Sequence, residues 1–544
     1  MGAHVRGLRA LDRAIPWRSK PQRVWFWGCA GCLALYAAYA AALGRSALFT
    51  GAAASLGALL VFAAAACLCF ALLVALSGLK GGARAPFARG QLHAGVFAAG
   101  SLGCGGILLV FLLADLPGGV SVDSAVQWTQ AATGVYSNWH PVFHTLLLHL
   151  CALVWPQYAF AVAVQCAAYA LAMGYLTATL QAWGARRWAV LAAALVLTAA
   201  PIVGNTMMYL WKDNAMTIGA VVLCAQAINL YLSRGAWLQK PRNAVAFGLT
   251  LAFTTLVRHN AVLFTLPLML LALCTCRAQL RGALTALTVL VAALALVLGP
   301  LYTALGVTYP SNGVEESIGV PMTALSNIRK LNPNALPPEA RALTDAMADD
   351  ADWARYTPDI YNSIKFGQTR RAVANHTLGE LLTVAARAAA ADPATAFQAV
   401  NGVTNLVWGL DDEGAAEVRV RNSGDLPSAP RGTGRLQTLG TALKAVLTAP
   451  FALLPLSWAT GNIGVTLLGM LALALRALRR NGTRALLLCL PVLLYDLGTM
   501  CVLCGPDARF FSFSPLLCGM GLFVLLRDPA PDADPTPAGA VEPV

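Results

Sequence analysis

Outside the stretch 304 to 440 and the two chain ends, only five acidic residues are found: Asp115, Asp123, Asp213, Asp496 and Asp507. Asp496 falls within an apolar run, where an ionised carboxylate costs about 2.5 to 3.5 kcal/mol at the centre of a membrane helix, so its retention asks for a reason. Three cations accompany these acids: Lys212 in Trp211-Lys212-Asp213-Asn214, Arg258 in Arg258-His259-Asn260, and Arg509 in CGPDARFFSFSP. A Lys or Arg held between apolar helices either binds an anionic group such as a phosphate or snorkels to lipid headgroups, and for each one alone both readings stay open. In LPGGVSVDSAVQWTQAATGVYSNWHPVFHTLLLHL, Asp123 opens a weakly amphipathic stretch and Trp139-His140-Pro141 starts the next helix, a position that suits proline. His140 is read either as a site residue or as an interface anchor together with Trp139. Asp115, beside Leu-Pro-Gly-Gly, reads as ordinary loop polarity.

The elements that must position these residues are membrane helices. The 544 residues are 58% hydrophobic and 12% charged, with a mean hydropathy of +0.63, values outside the range of water-soluble domains of this length. A bilayer core takes about 20 apolar residues per helix. Such runs fall near 24–44, 50–79, 93–114, 157–181, 188–210, 212–233, 243–257, 260–276 and 283–303, then 462–478, 484–503 and 509–526. The shorter runs 141–155 and 443–458 read as re-entrant or interfacial, which leaves about twelve spans. Fold class is therefore expected to be an all-α integral membrane protein with a large extracytoplasmic loop domain.

Lys and Arg collect in cytoplasmic loops. They cluster in the first 23 residues, at Lys80/Arg84/Arg89, Arg186/Arg187, Arg234/Lys240/Arg242, Arg277/Arg281 and Arg476/Arg479/Arg480/Arg484, with Arg45 the exception. Both termini then lie inside and all five acids fall on or near the outer side. The first helix, with no small-residue cleavage site before it, is expected to stay as an uncleaved anchor. The formal charge of +13 reads as topology and anionic-lipid contact, so nucleic acid is not expected as a partner. The stretch 304–440 holds 12 Lys and Arg against 15 Asp and Glu and reads as an outer polar domain or lid. Its helix-like segments are PPEARALTDAMADDADWARY and LGELLTVAARAAAADPATAFQAV, and its turn-rich ones DDEG and NSGDLPSAPRGTG. The expected order is a basic cytoplasmic segment 1–23, a membrane module 24–303 with a first outer loop 115–140, the outer domain 304–440, a second membrane module 441–527, and a disordered cytoplasmic tail 528–544. Most of the fourteen cysteines lie in apolar runs and read as packing residues; Cys501 and Cys504 have CxxC spacing without partners for redox or metal chemistry.

Five features taken in order resemble the GT-C superfamily: an Asp in the first outer loop (Asp123), a His-Pro helix start (His140-Pro141), a Lys-Asp at a later outer turn (Lys212-Asp213), a large late outer loop, and a final Arg-aromatic-Pro helix from Arg509 to Pro515. That superfamily comprises membrane glycosyltransferases such as protein O-mannosyltransferases and lipid A aminoarabinose transferases, which use polyprenyl-phosphate-linked sugars. This chain looks like a bacterial branch of it without an assigned donor or acceptor. The resemblance implies a GT-C-like fold, with Asp123 as general base or metal-assisting carboxylate toward an acceptor hydroxyl and His140 beside it. Trp139, Lys212, Asp213, Arg258, His259, Glu316 and Arg509 are the candidate substrate-binding residues, the cations being available to hold the lipid phosphate. A divalent cation is a conceivable cofactor, with no ligand set assigned. Two positions depart from the superfamily pattern: Ser124 stands where many members have a second acid, and Val142 where many have a second proline.

The expected partners are a polyprenyl-phosphate-linked sugar, membrane lipids and a glycan, lipid or protein acceptor. The main rival is a transporter or flippase of a lipid-linked or anionic substrate, built around buried Asp496 and the broken helices near 258. Against it, the acids gather at one face and no inverted repeat is visible. A polymerase or ligase of surface polysaccharide shares the outer site and differs in acceptor, and a structural scaffold is a fourth reading.

Overall fold

A computed structural model describes residues 20–40, 52–78, 92–309, 314–410 and 434–526. The basic segment before Lys20, the Lys80/Arg84/Arg89 cluster, Arg45, the DDEG and NSGDLPSAPRGTG segments and the tail 528–544 lie outside the described residues. The described chain is all helical, with two isolated bridges, Gly119 to Tyr209 and Ser137 to Thr308. Among the described residues five helices are long and apolar enough to cross a membrane: Ala94–Ala114, Tyr158–Ala182, Lys212–Leu232, Arg277–Ala304 and Ala508–Leu525. Seven result if each of two bent pairs counts as one span. This is an all-α membrane protein.

Burial sorts these helices. Lys212–Leu232 is central, with Met216, Ala220, Leu223, Ala227 and Leu230 all enclosed. Arg277–Ala304 leaves Val291, Leu296 and Leu298 open for lipid. Helix Lys212–Leu232 runs away from Lys212 toward Arg234, and Pro241–Val257 returns from Arg242 to Arg258. Its 21 residues make it about 31 Å long at about 1.5 Å per residue. The basic clusters share the far end: a Cβ on Gly235 would touch Cys276, Arg484 donates to the carbonyl of Thr275, and Arg479 donates to Val74 and Ser77.

Several apolar runs fold differently from one straight span each. The run 188–210 breaks at Pro201 into Arg187–Ala199 and Pro201–Met208, bent by 61°, because the ring of proline pushes Ala200 to extended ψ. The run 484–503 becomes a 3-10 turn Thr483–Leu488 and a short helix Leu490–Met500 with Pro491 in its first turn. Helices Pro241–Val257 and Val262–Thr275 are interrupted by Arg258 in extended conformation. Around 443–458 lie two pieces, Arg435–Ala452 and Pro455–Gly461, bent by 102°, and 141–155 holds the single helix Val142–Val154.

Between Val314 and Trp408 the chain builds a second core from Ile318, Met322, Leu325, Leu343, Trp353 and Tyr361 among others. Both helix-like segments read there are split. Asp349 caps a new helix Asp350–Arg355, and Asp392 with Pro393 ends Leu378–Ala391 and starts Pro393–Trp408. The last of these, inside the stretch 304–440 read as one polar domain, joins the two cores: Ala396 and Ala399 lie in the second core, whereas Val403, Leu406 and Val407 belong to the membrane core.

One buried ion pair fixes the end of the bundle where the helices break. Asp213 and Arg258 form an ion pair, and their side chains are 3% and 5% exposed. Removing one partner of such a pair strands a buried charge and costs about 3 to 5 kcal/mol, whereas an apolar pair of similar volume is close to neutral. Asp213→Leu and Arg258→Met are each expected to lower the melting temperature in detergent, and the double variant to recover most of that loss. Additive losses in the double variant would refute the pairing as a structural tie.

Candidate functional site

Asp123 owes its position to a capped helix. Ser121 and Ser124 form a reciprocal cap: the Ser124 N–H donates to Ser121 Oγ at 3.3 Å and the Ser121 N–H to Ser124 Oγ at 2.8 Å. Ser124, the departure noted in the sequence, thus starts helix Val122–Thr133 and holds Asp123 in its first turn. The loop before it is tied to the break after Met208. Gly119 N–H donates to the Met208 carbonyl at 2.8 Å, Tyr158 Oη to the Gly119 carbonyl at 2.7 Å, and Trp211 Nε1 to Ser121 Oγ at 2.7 Å.

Cations converge on the carboxylate. Arg509 Nη1 lies 2.9 Å and Lys212 Nζ 3.9 Å from Asp123 Oδ2, and His140 Nε2 is 3.9 Å from Oδ1. Lys212 Nζ donates to His140 Nδ1 at 3.0 Å; an ammonium only donates, so Nδ1 bears the lone pair and Nε2 carries the proton, facing Asp123. Arg509 is held by Asp507 Oδ2 at 2.8 Å and lies 5.0 Å from the ring centres of both Trp211 and Phe510. Trp211 is stacked on Tyr209 at 4.0 Å, and Arg258 covers Phe510 at 4.6 Å. Burial raises the Asp123 carboxyl, but Lys212 and Arg509 outweigh it and hold it well below the usual carboxylate range. For His140, burial and then Lys212 push the imidazole down to about 3 against the pull of Asp123. An ionised acid and a neutral histidine therefore stand side by side.

These groups open onto one cavity of about 380 Å³. The structure brings Asp123, Trp139, His140, Lys212, Arg258, His259, Glu316 and Arg509 together in its walls. Asp213, read from the sequence as a further substrate-binding residue, is not among them. Successive helix residues point about 100° apart, so when Lys212 faces the cavity Asp213 turns inward to Arg258. Asp115 pairs with Lys444 at 2.6 Å, and Asp496 accepts from Ser514 Oγ at 2.7 Å, both away from this cavity.

Of what the domain between Val314 and Trp408 contributes, the sequence reading named Glu316 and missed the rest. Lys365, Phe366 and Asn362 complete the cavity wall, and Lys365 Nζ donates to Glu316 Oε1 at 2.7 Å. Arg370 lies 4.2 Å from the ring centre of Trp139 and pairs with Glu315 at 3.0 Å. No spacing in YNSIKFGQTRR signals this, since tertiary packing alone carries Lys365 over the site. Phe510 and Trp211 sit beside residues already singled out and were legible as aromatic neighbours. The donor set does not fit a divalent cation: Asp123 is flanked by two cations, and among the described residues no three His, Cys, Asp or Glu side chains converge.

The depressed pKa of His140 has a stability consequence. Between pH 3 and 6.5 the unfolded chain binds a proton at His140 that the folded chain refuses, so stability rises with pH across that window. Asp123 acts in the same direction, adding stability above 3.8 that is lost as pH falls through its lower folded value. In nitrogen-15 histidine spectra, His140 is expected to stay neutral in the Nε2–H form at pH 5, and Lys212→Met to move its midpoint upward. A wild-type midpoint near 6.5 would contradict the arrangement.

No curated protein and no solved structure matches the chain. A family model described as a family of unknown function, DUF6020, matches residues 128–399, half of the sequence. The matched stretch takes in His140, Lys212, Arg258, Glu316 and Lys365 and stops short of Asp123 and Arg509 at either side. The chain belongs to the DUF6020 family.

Proposed function

We propose that this protein is a membrane glycosyltransferase of GT-C-like architecture that moves a sugar from a polyprenyl-phosphate donor to an acceptor hydroxyl at the outer face of the membrane. The observation that carries the reading is the ionised Asp123 set among Lys212, Arg509 and Arg258 in one cavity at the end of the bundle opposite the basic clusters. Under the positive-inside rule that end is extracytoplasmic and both termini are cytoplasmic. The proposed topology counts about twelve crossings, with the short and bent helices making up the number beyond the long spans.

Transfer requires an acceptor oxygen to bond the anomeric carbon while the bond from that carbon to the phosphate oxygen breaks. The acceptor proton passes to Asp123, and the bonding electron pair leaves with the phosphate. Lys212, Arg509 and Arg258 are the donors available to the charge that develops there. A donor phosphate also competes with Asp123 for Arg509 and Lys212. Drawing them away raises the basicity of the carboxylate as the donor binds, which matches the base to the moment it is needed. His140, neutral, faces the carboxylate with Nε2 at 3.9 Å and brings no competing charge to it.

The test is to purify the protein in lipid with a mixture of polyprenyl-phosphate sugars and follow sugar release or transfer. Wild type is expected to consume a donor, and an equally folded Asp123→Asn variant to lose about 10²- to 10⁴-fold in turnover, the usual worth of a general base. Arg509→Met is expected to lose about 10²-fold or more, as for removal of one charge-stabilising donor. If wild type touches no donor, the reading as a transporter or flippase of a lipid-linked or anionic substrate takes its place.

A further inference from the structure

The charges around the cavity balance. Lys212, Arg258, Arg509 and Lys365 stand against Asp123, Asp213, Asp507 and Glu316, each bonded to or facing one of them. An anionic ligand entering this site meets cations that are already neutralised, so it binds where one carboxylate gives way. The four carboxylates differ in how readily they leave. Asp213 is 3% exposed and bonded to Arg258. Asp123 is held by both Arg509 and Lys212. Asp507 pairs with the Arg509 guanidinium, its Oδ2 lying 2.8 Å from Nε, and accepts from the backbone N–H of Arg509 at 3.1 Å. Glu316 has Lys365 as its ion-pair partner, is 47% exposed, and sits on the single turn Val314–Ser317, so its carboxylate reaches water by side-chain rotation alone.

Lys365 is the opposite case. Its side chain is 5% exposed, and an ammonium carries three donors of which Glu316 takes one. Its backbone is pinned over the site: Lys365 N–H donates to the Tyr361 carbonyl at 2.9 Å, and Asn362 N–H donates to the Cys504 carbonyl at 2.8 Å, on the turn that leads to Arg509. When Glu316 turns away, Lys365 stays, and its charge faces the cavity without compensation.

We propose that Lys365 is the outer domain's own ligand for a phosphate group, and that Glu316 occupies the seat of a phosphate oxygen until that ligand arrives. The inference rests on the anion-binding reading of the cavity and adds to it a binding residue from outside the membrane bundle. It also gives Glu316 a role as the displaceable competitor of the substrate and not as one of its contacts.

The test uses the full-length protein in nanodiscs of neutral lipid, titrated with inorganic phosphate and, separately, with farnesyl phosphate, binding being read by calorimetry. Glu316→Gln is expected to tighten binding about tenfold and Lys365→Met to weaken it about tenfold, while Lys365→Arg retains it. In the Lys365→Met background, Glu316→Gln is expected to lose its effect. Tightening with both probes means that the phosphate group suffices; tightening with farnesyl phosphate alone assigns the ligand to the lipid. If Lys365→Met and Lys365→Arg both bind like wild type, or Glu316→Gln tightens both backgrounds equally, while Arg509→Met still abolishes binding, the inference fails and the anion site stands. If wild type binds neither probe, or binding ignores Arg509→Met as well, the anion site itself falls.

Discussion

A guanidinium 2.9 Å from a carboxylate joins the helix that opens at Val122 to the last described helix. Arg509 and Asp123 are far apart in sequence, and their contact requires that the helices between them bring both ends of the membrane portion to one place. Neither side chain would be stable there alone, since each buries most of its charge among apolar helices. The constraint propagates outward: Ser121 and Ser124 must cap the helix that carries Asp123, and Asp507 must steady the turn that carries Arg509.

Aromatic faces do the remaining work of alignment. Tyr209, Trp211, Arg509, Phe510 and Arg258 alternate as ring, ring, cation, ring, cation, with separations of 4.0 to 5.0 Å. A guanidinium held between flat faces is weakly hydrated yet keeps its in-plane donors free to point at an anion. Trp211 adds a second link, because its Nε1 donates to Ser121 and so ties this stack to the cap of the Asp123 helix. The acid and its cations are thus set by one connected network and not by separate loops.

How much of this was legible in the sequence depended on whether a residue's reason was local. The scarcity of charge outside the outer stretch singled out Asp123, Lys212, Arg258 and Arg509, and the cavity gathers all four. Hydropathy told apolar helix from polar loop, but Pro201 and Pro491 broke runs that length alone read as single spans. Asp213, read together with Lys212 as a Lys-Asp pair, lies outside the cavity wall because helical rotation separates their directions. Lys365 carried no signal, as its place depends on how a separately cored domain sits on the bundle.

That domain is fastened, which decides what kind of cavity this is. Gly319, at the start of its first long helix, packs so closely on the turn before Arg509 that a Cβ would come within 2.3 Å of the Leu503 carbonyl oxygen. Asn362 bonds Cys504, Arg370 covers Trp139, and Pro393–Trp408 carries the domain's chain back into the membrane core. A cavity roofed in this way shields its cations from bulk water, the side chains of Arg258, Lys365 and Arg509 being 5%, 5% and 15% exposed. Interactions between those charges are then several-fold stronger than at an open membrane surface, where the high dielectric of water would weaken them. The domain between Val314 and Trp408 therefore sets the strength of the electrostatics on which the site depends, as well as contributing a cation to it.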